Sequence, residues 1–140
     1  MIVCLDTNTL IQAAKPGHAF SRILEAWVGG EFVWAVSSEI LLEYLEVVVR
    51  QSGRRRWEVL DALMQTVAMT DNALMHVTPT FDFHVVATDP GDNKFCDCAI
   101  AAGADFVVTA DADFAPLANS GYKPKPIVPQ EFIARHLARR

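Results

Sequence analysis

Residues 89–114 read DPGDNKFCDCAIAAGADFVVTADADF, and this stretch decides the fold. The Pro90-Gly91-Asp92 turn predicts the start of a helix over Lys94 to Ala102, and Asp105 to Thr109 has the apolar, β-branched character of a buried strand. That strand runs straight into Asp111 and Asp113. Helix, strand and then carboxylate is one unit of an α/β architecture.

Working outward, Ile2 to Leu5 forms a second apolar run that ends in Asp6, Thr7 and Asn8, and Glu31 to Val36 a third, after the Gly29-Gly30 break. A shorter strand is expected at His84 to Ala87, and an edge strand at Pro126 to Val128. Between these runs the period lengthens. Phe20, Ile23, Leu24 and Trp27 share one helix face, as do Leu41, Leu45 and Val48 in a helix from Ile40 to Arg50 that Ser37 or Ser38 can cap. Another helix is expected from about Arg56 to Leu74, with Trp57, Leu60, Met64 and Val67 on one side. A last one follows Pro129 through Phe132, Ile133 and Leu137. Alternation of this kind predicts a central, mostly parallel sheet of four to five strands, flanked by helices on both faces.

The length of 140 residues and a hydrophobic content of 51% suit one domain, spanning 1–140, with a sizeable core. No basic leader precedes an apolar segment, and no run of eighteen apolar residues occurs, so a cytoplasmic protein without membrane contact is expected. Cys4, Cys96 and Cys98 lack the partners of a four-ligand zinc site and read as reduced core thiols. The net charge of −5 opposes long-range steering of a nucleic acid, so any nucleic-acid chemistry must answer that sign.

Strands of a parallel sheet open their C-terminal ends on one edge, where ligands are generally held. Asp6 follows the first strand, Asp111 and Asp113 follow a later one, and Asp92 begins the helix leading into it. Each also has a structural use. Asp92, Asp111 or Asp113 can cap a helix, and Asp6 can close a turn with Thr7 or Asn8. Gathered together, however, carboxylates repel by about 1 kcal/mol per pair at 4 Å in water and several times that near a protein surface. A divalent cation offsets this, and oxygen ligands suit Mg²⁺ or Mn²⁺. Such an ion, rather than arginines, would then meet phosphate oxygens at the centre of the site. Basic side chains need only flank it, and Arg54-Arg55-Arg56, Lys94, Lys123 and Lys125 are the candidates. Glu39, Glu43 and Glu46 recur at helical spacing, which by itself does not single out Glu43. Asp97 lies five positions after Asp92, about 140° round a regular helix, and so outside the cluster.

The segments CLDTNTLI, VSSEILLEY, DPGDNKFCDCAIAAGADFVVTADADF and KPIVPQEFI, in that order, resemble the PIN domain family, and within it the bacterial toxin components of toxin–antitoxin pairs. The resemblance runs from Ile2 to about Ile133. It implies a single-domain PIN-like fold and a metal-dependent nuclease, most often a ribonuclease, using Mg²⁺ or Mn²⁺. By motif, Asp6, Glu43, Asp92 and Asp111 take the four acidic places, with Asp113 close by. Asp6, Asp92 and Asp111 are then the metal ligands, and Asn8 and Thr109 the polar residues that orient the cluster. An antitoxin partner and a homodimer are further implications. The SGRRRWE segment departs from the family, where a shorter arginine-proline turn usually sits.

Competing chemistries fit less well. A phosphatase with a strand-end aspartate nucleophile needs a second Asp where Asn8 stands, and a receiver domain has no use for Glu43 or Asp111. GxGxxG, P-loop, GxSxG and HExxH signatures are absent. The remaining alternative is a PIN-fold module that binds a protein without cutting RNA.

Overall fold

The computed structural model describes residues 1–139. The chain runs β1 (Ile2–Leu5), α1 (Thr7–Ala13), α2 (Ser21–Val28), β2 (Val33–Val36), α3 (Ser38–Ser52), α4 (Arg54–Asp71) and β3 (Leu74–His76). It continues through α5 (Asn93–Ala102), β4 (Phe106–Val108), β5 (Lys125–Ile127) and α6 (Pro129–His136), with 3₁₀ turns at Pro90–Asp92 and Ala112–Asn119. The five strands lie in the order β3-β2-β1-β4-β5, and every neighbouring pair is parallel. The expected α/β sheet is present.

Val3, Cys4 and Leu5 are all fully buried. Successive strand side chains point to opposite faces, so both faces of β1 are covered. From β1 the chain steps outward to β2 and β3, then returns past β1 to β4 and β5. The direction of travel reverses between β1 and β4, and a crevice must open at the C-terminal ends of these two strands. Leu5 pairs with Val108 at that end, and the Asp6 amide donates to the Val108 carbonyl at 3.2 Å. Topology alone therefore carries Asp6 and the residues after β4 to one place.

Ser37 caps α3, its hydroxyl accepting from the Ile40 amide at 3.3 Å. The buried stripe of α3 is Ile40, Tyr44 and Val48. This corrects the expected face, since Leu41 and Leu45 are only half-buried. The Tyr44 hydroxyl donates to the Leu5 carbonyl, tying α3 to the end of β1.

Two boundaries differ from expectation. Helix α4 stops at Asp71, where Asn72 turns left-handed at φ 52°, and Leu74 to His76 pair with β2 instead of extending the helix. No strand forms at His84 to Ala87. There the Asn93 side chain takes the place of a neighbouring strand: its Oδ1 accepts from the Val86 amide at 2.7 Å, and its Nδ2 donates to the Val86 carbonyl at 2.9 Å. Asp97 Oδ1 accepts from the Phe83 amide at 3.0 Å, so α5 clips the same loop twice. All three cysteines are buried and free of disulfides. Among the described residues, no helix is long and apolar enough to cross a membrane.

Candidate metal centre

Asp6 caps α1, accepting from the Thr9 amide at 2.8 Å through Oδ1, while its Oδ2 accepts from the Thr109 hydroxyl. Burial raises its carboxyl above the usual carboxylate range, against the pull of the Thr109 and Thr9 hydrogen bonds. The Thr109 oxygen in turn accepts from the Asp111 amide at 3.0 Å. One threonine therefore joins the carboxylate after β1 to the turn after β4. Asp111 itself caps the 3₁₀ turn, accepting from the Asp113 amide at 2.9 Å.

Asp92 stands at the N-terminal boundary of α5, but its side chain makes no capping bond. Its Oδ2 is buried without a hydrogen-bond partner. Burial, followed by the charges of Asp89, Asp111, Asp6 and Glu43, pushes its carboxyl up to about 7. A structural cap would not pay that penalty.

Glu43 is half-buried, whereas Glu39 and Glu46 on the same helix are exposed. Its Oε1 accepts from Lys94 Nζ at 2.8 Å, and its Oε2 accepts from the Thr7 hydroxyl. The structure makes the distinction that helical spacing leaves open.

Asp6, Asn8, Glu43, Asp92 and Asp111 line one hollow of about 220 Å³, together with Arg50 and Gln51. Asp113 lies on its border: one carboxylate oxygen each from Asp89, Asp92 and Asp113 falls within 4.8 Å of the other two. This tight trio shares only Asp92 with the expected ligand set of Asp6, Asp92 and Asp111. Asp89 was missed as a ligand because it caps its own turn, accepting from the Gly91 amide at 3.0 Å, and in sequence looks like nothing more. A donor set made only of carboxylate oxygens, one of them buried and unpartnered, fits a hard divalent cation such as Mg²⁺ or Mn²⁺. Asp97 lies outside the cluster, spent on the Phe83 amide.

The basic residues are distributed differently from expectation. Arg55 and Arg56 line a separate hollow with Ala14, Pro16 and Val59. Lys123 pairs with Asp105 at 3.5 Å before β4, and Lys125 donates to the Ala118 and Tyr122 carbonyls. Both therefore sit toward the N-terminal edge of the sheet, away from the carboxylates. Lys94, by contrast, reaches the cluster, at 2.8 Å from Glu43. Arg50 lines the hollow described above, and Lys15 lines an adjoining one with Asp6 and Asp111. Arg50 follows Glu43 by seven positions, a face-sharing spacing that could have flagged it.

A sequence profile of the PIN domain family matches residues 2–113, which include all of these carboxylates. The chain belongs to the PIN domain family. No curated protein matches it. Among solved structures it is similar to a chain in the crystal structure of VapBC2 from Rickettsia felis bound to a DNA fragment from their promoter. That match has a TM-score of 0.60 and 19% identity, and covers 91% of this chain and 99% of the other. At that identity the likeness speaks for the PIN fold.

Proposed function

We propose that this PIN domain is a metal-dependent endoribonuclease that hydrolyses phosphodiester bonds of single-stranded RNA, acting as one unit over residues 1–140. The observation that carries this reading is the buried, unpartnered Oδ2 of Asp92 inside a hollow shared with Asp6, Glu43 and Asp111. Folding tolerates such an arrangement at a cost that a bound cation removes.

Asp92 would hold Mg²⁺ or Mn²⁺ with help from Asp6 and Asp111, which line its hollow, and from Asp89 and Asp113, whose carboxylate oxygens come within 4.8 Å of its own. When bound, the ion supplies the positive charge that meets phosphate oxygens and makes water a better nucleophile at neutral pH. The remaining work belongs to the chain. Thr9 and Thr109 fix the orientation of the Asp6 carboxylate. Glu43, held between Lys94 and Thr7, orients the attacking water and takes its proton. The Lys94 ammonium holds the Glu43 carboxylate in place at 2.8 Å and puts a positive charge beside the scissile phosphate. Asn8, exposed on the first turn of α1, donates to the substrate from the rim.

A toxin role, with an antitoxin as partner and a homodimer as the working unit, fits the exposed apolar side chains Leu42 on α3 and Val59 and Met69 on α4. The same side chains favour the second reading, a protein-binding module without nuclease activity. One experiment separates the two. Purified protein is incubated with mixed RNA and Mn²⁺ or Mg²⁺, with and without EDTA, beside Asp6→Asn. Cleavage abolished by the chelator and by the substitution supports the nuclease, and cleavage indifferent to both refutes it.

A further inference from the structure

We infer that Lys15 and Arg50 are the phosphate-binding residues of this site, gripping an RNA strand on either side of the scissile bond. The inference deepens the ribonuclease reading and rests on it. Two hollows meet at the carboxylates. One, of about 380 Å³, is lined by Asp6, Asn8, Gln12, Lys15, Gln51 and Asp111 among others. The other, of about 220 Å³, contains Glu43, Arg50 and Asp92. Asp6, Asn8, Gln51 and Asp111 belong to both, so they form the common floor of one continuous cleft. Lys15 is the single cation of the first arm, and Arg50 that of the second.

The charge arrangement argues that these two side chains await a polyanion. Lys15 and Arg50 are exposed and make no ion pair among the described residues, although carboxylates line the same arms and the chain is acidic. Lys94, by contrast, is committed to Glu43 at 2.8 Å. A strand crossing the floor would leave its neighbouring phosphates over the two arms, each beside a free cation. Gln12, Gln51 and Asn8 offer neutral amides between them, able to donate to sugar and phosphate oxygens without adding repulsion. This also answers the sign of the net charge: the attraction is local, confined to two points beside the cluster.

The test uses a fluorescein-labelled single-stranded RNA 15-mer of mixed sequence with Mn²⁺, and compares the parent with Lys15→Ala, Arg50→Ala, the double variant, and Lys123→Ala and Lys125→Ala as distant controls. Each cleft variant is expected to raise KM about fivefold or more while kcat stays within about twofold, and to flatten the salt dependence of kcat/KM by about 0.7 in log–log slope per lost contact. The Mn²⁺-induced thermal shift should be unchanged, which separates lost RNA contacts from a damaged metal centre. Unaltered KM and salt slope in the double variant, or equal effects from Lys123→Ala and Lys125→Ala, would overturn the inference. Binding of the same 15-mer, followed by fluorescence anisotropy in a Glu43→Gln background, keeps the two claims apart. A parent that binds without cutting refutes the nuclease reading, and weaker binding on loss of Lys15 or Arg50 would still uphold their role. A parent that does not bind overturns both.

Discussion

Replacing Asp92 with Asn should make the metal-free protein more stable in a way that depends on pH. In the folded protein the Asp92 carboxyl is pushed from 3.8 up to about 7, first by burial and then by the charges of its acidic neighbours. At ~1.4 kcal/mol per pH unit, ionising this group against that environment costs ~4 kcal/mol before screening. Asp92 is half-buried and faces an open hollow, so solvent reduces the cost to ~1–2 kcal/mol. The sign follows from the raised folded value. Below the unfolded value the carboxyl is neutral in both states and no penalty exists; the penalty grows as pH rises and is complete above about 7. Urea unfolding in EDTA, at about pH 5 and about pH 8, measures it for parent and Asp92→Asn. The variant should gain ~1 kcal/mol relative to the parent between the two pH values, and the comparison cancels any constant cost of accommodating the amide. Adding Mn²⁺ at the higher pH should reverse the ranking, since only the parent retains the full ligand set. Parallel pH profiles for the two proteins, or a parent that gains stability as pH rises through 7, would refute the claim that Asp92 is held at electrostatic cost.

Asp6 serves both the helix and the cluster, and two substitutions divide those roles. Asp6→Asn keeps one acceptor, for the Thr9 amide, and turns its NH₂ toward the Thr109 oxygen, with relief of a buried charge offsetting part of the lost bond, so it should unfold within ~1 kcal/mol of the parent; Asp6→Ala removes both acceptors and should cost ~1–3 kcal/mol by urea denaturation. Both should abolish the Mn²⁺-induced thermal shift. Tyr44→Phe removes the buried hydroxyl that donates to the Leu5 carbonyl and should lower the urea midpoint by an amount equal to ~1–3 kcal/mol, with the slope unchanged.

The strands that pair around β1 were legible because burial on both faces leaves nearly uninterrupted apolar runs at Ile2–Leu5 and Phe106–Val108. The start of α3 and the end of α5 were legible from local signals, a serine pair before the one and Gly103 after the other, but only the coordinates choose Ser37 over Ser38 as the cap. β3 was not legible. Leu74-Met75-His76 carries no pattern of its own and becomes a strand because β2 offers a free edge. The expected strand at His84 to Ala87 failed because a single amide side chain, Asn93, satisfied the backbone that a neighbouring strand would have claimed. At the site, strand-end position exposed Asp6 and Asp111, since topology determines where they go. Glu43 needed coordinates, because three glutamates share a helix face and only tertiary packing decides which of them meets Lys94. The arginine triplet misled for a related reason: charge density along a sequence says nothing about distance from a sheet edge. Arg50 and Lys15, each isolated in sequence, line the hollows that hold the carboxylates, and Arg55 and Arg56 do not.

The Thr109 hydroxyl reaches Asp6 across a sequence separation of 103 residues, and β4 supplies the ladder that holds it there. A chain leaving the ribosome therefore carries nothing resembling the acidic pocket until β4 has been made, and closing so long a loop is a late event in folding. Truncated products of interrupted translation that stop before β4 would be inert. Whatever this pocket does, it exists only once the two ends of that span have met.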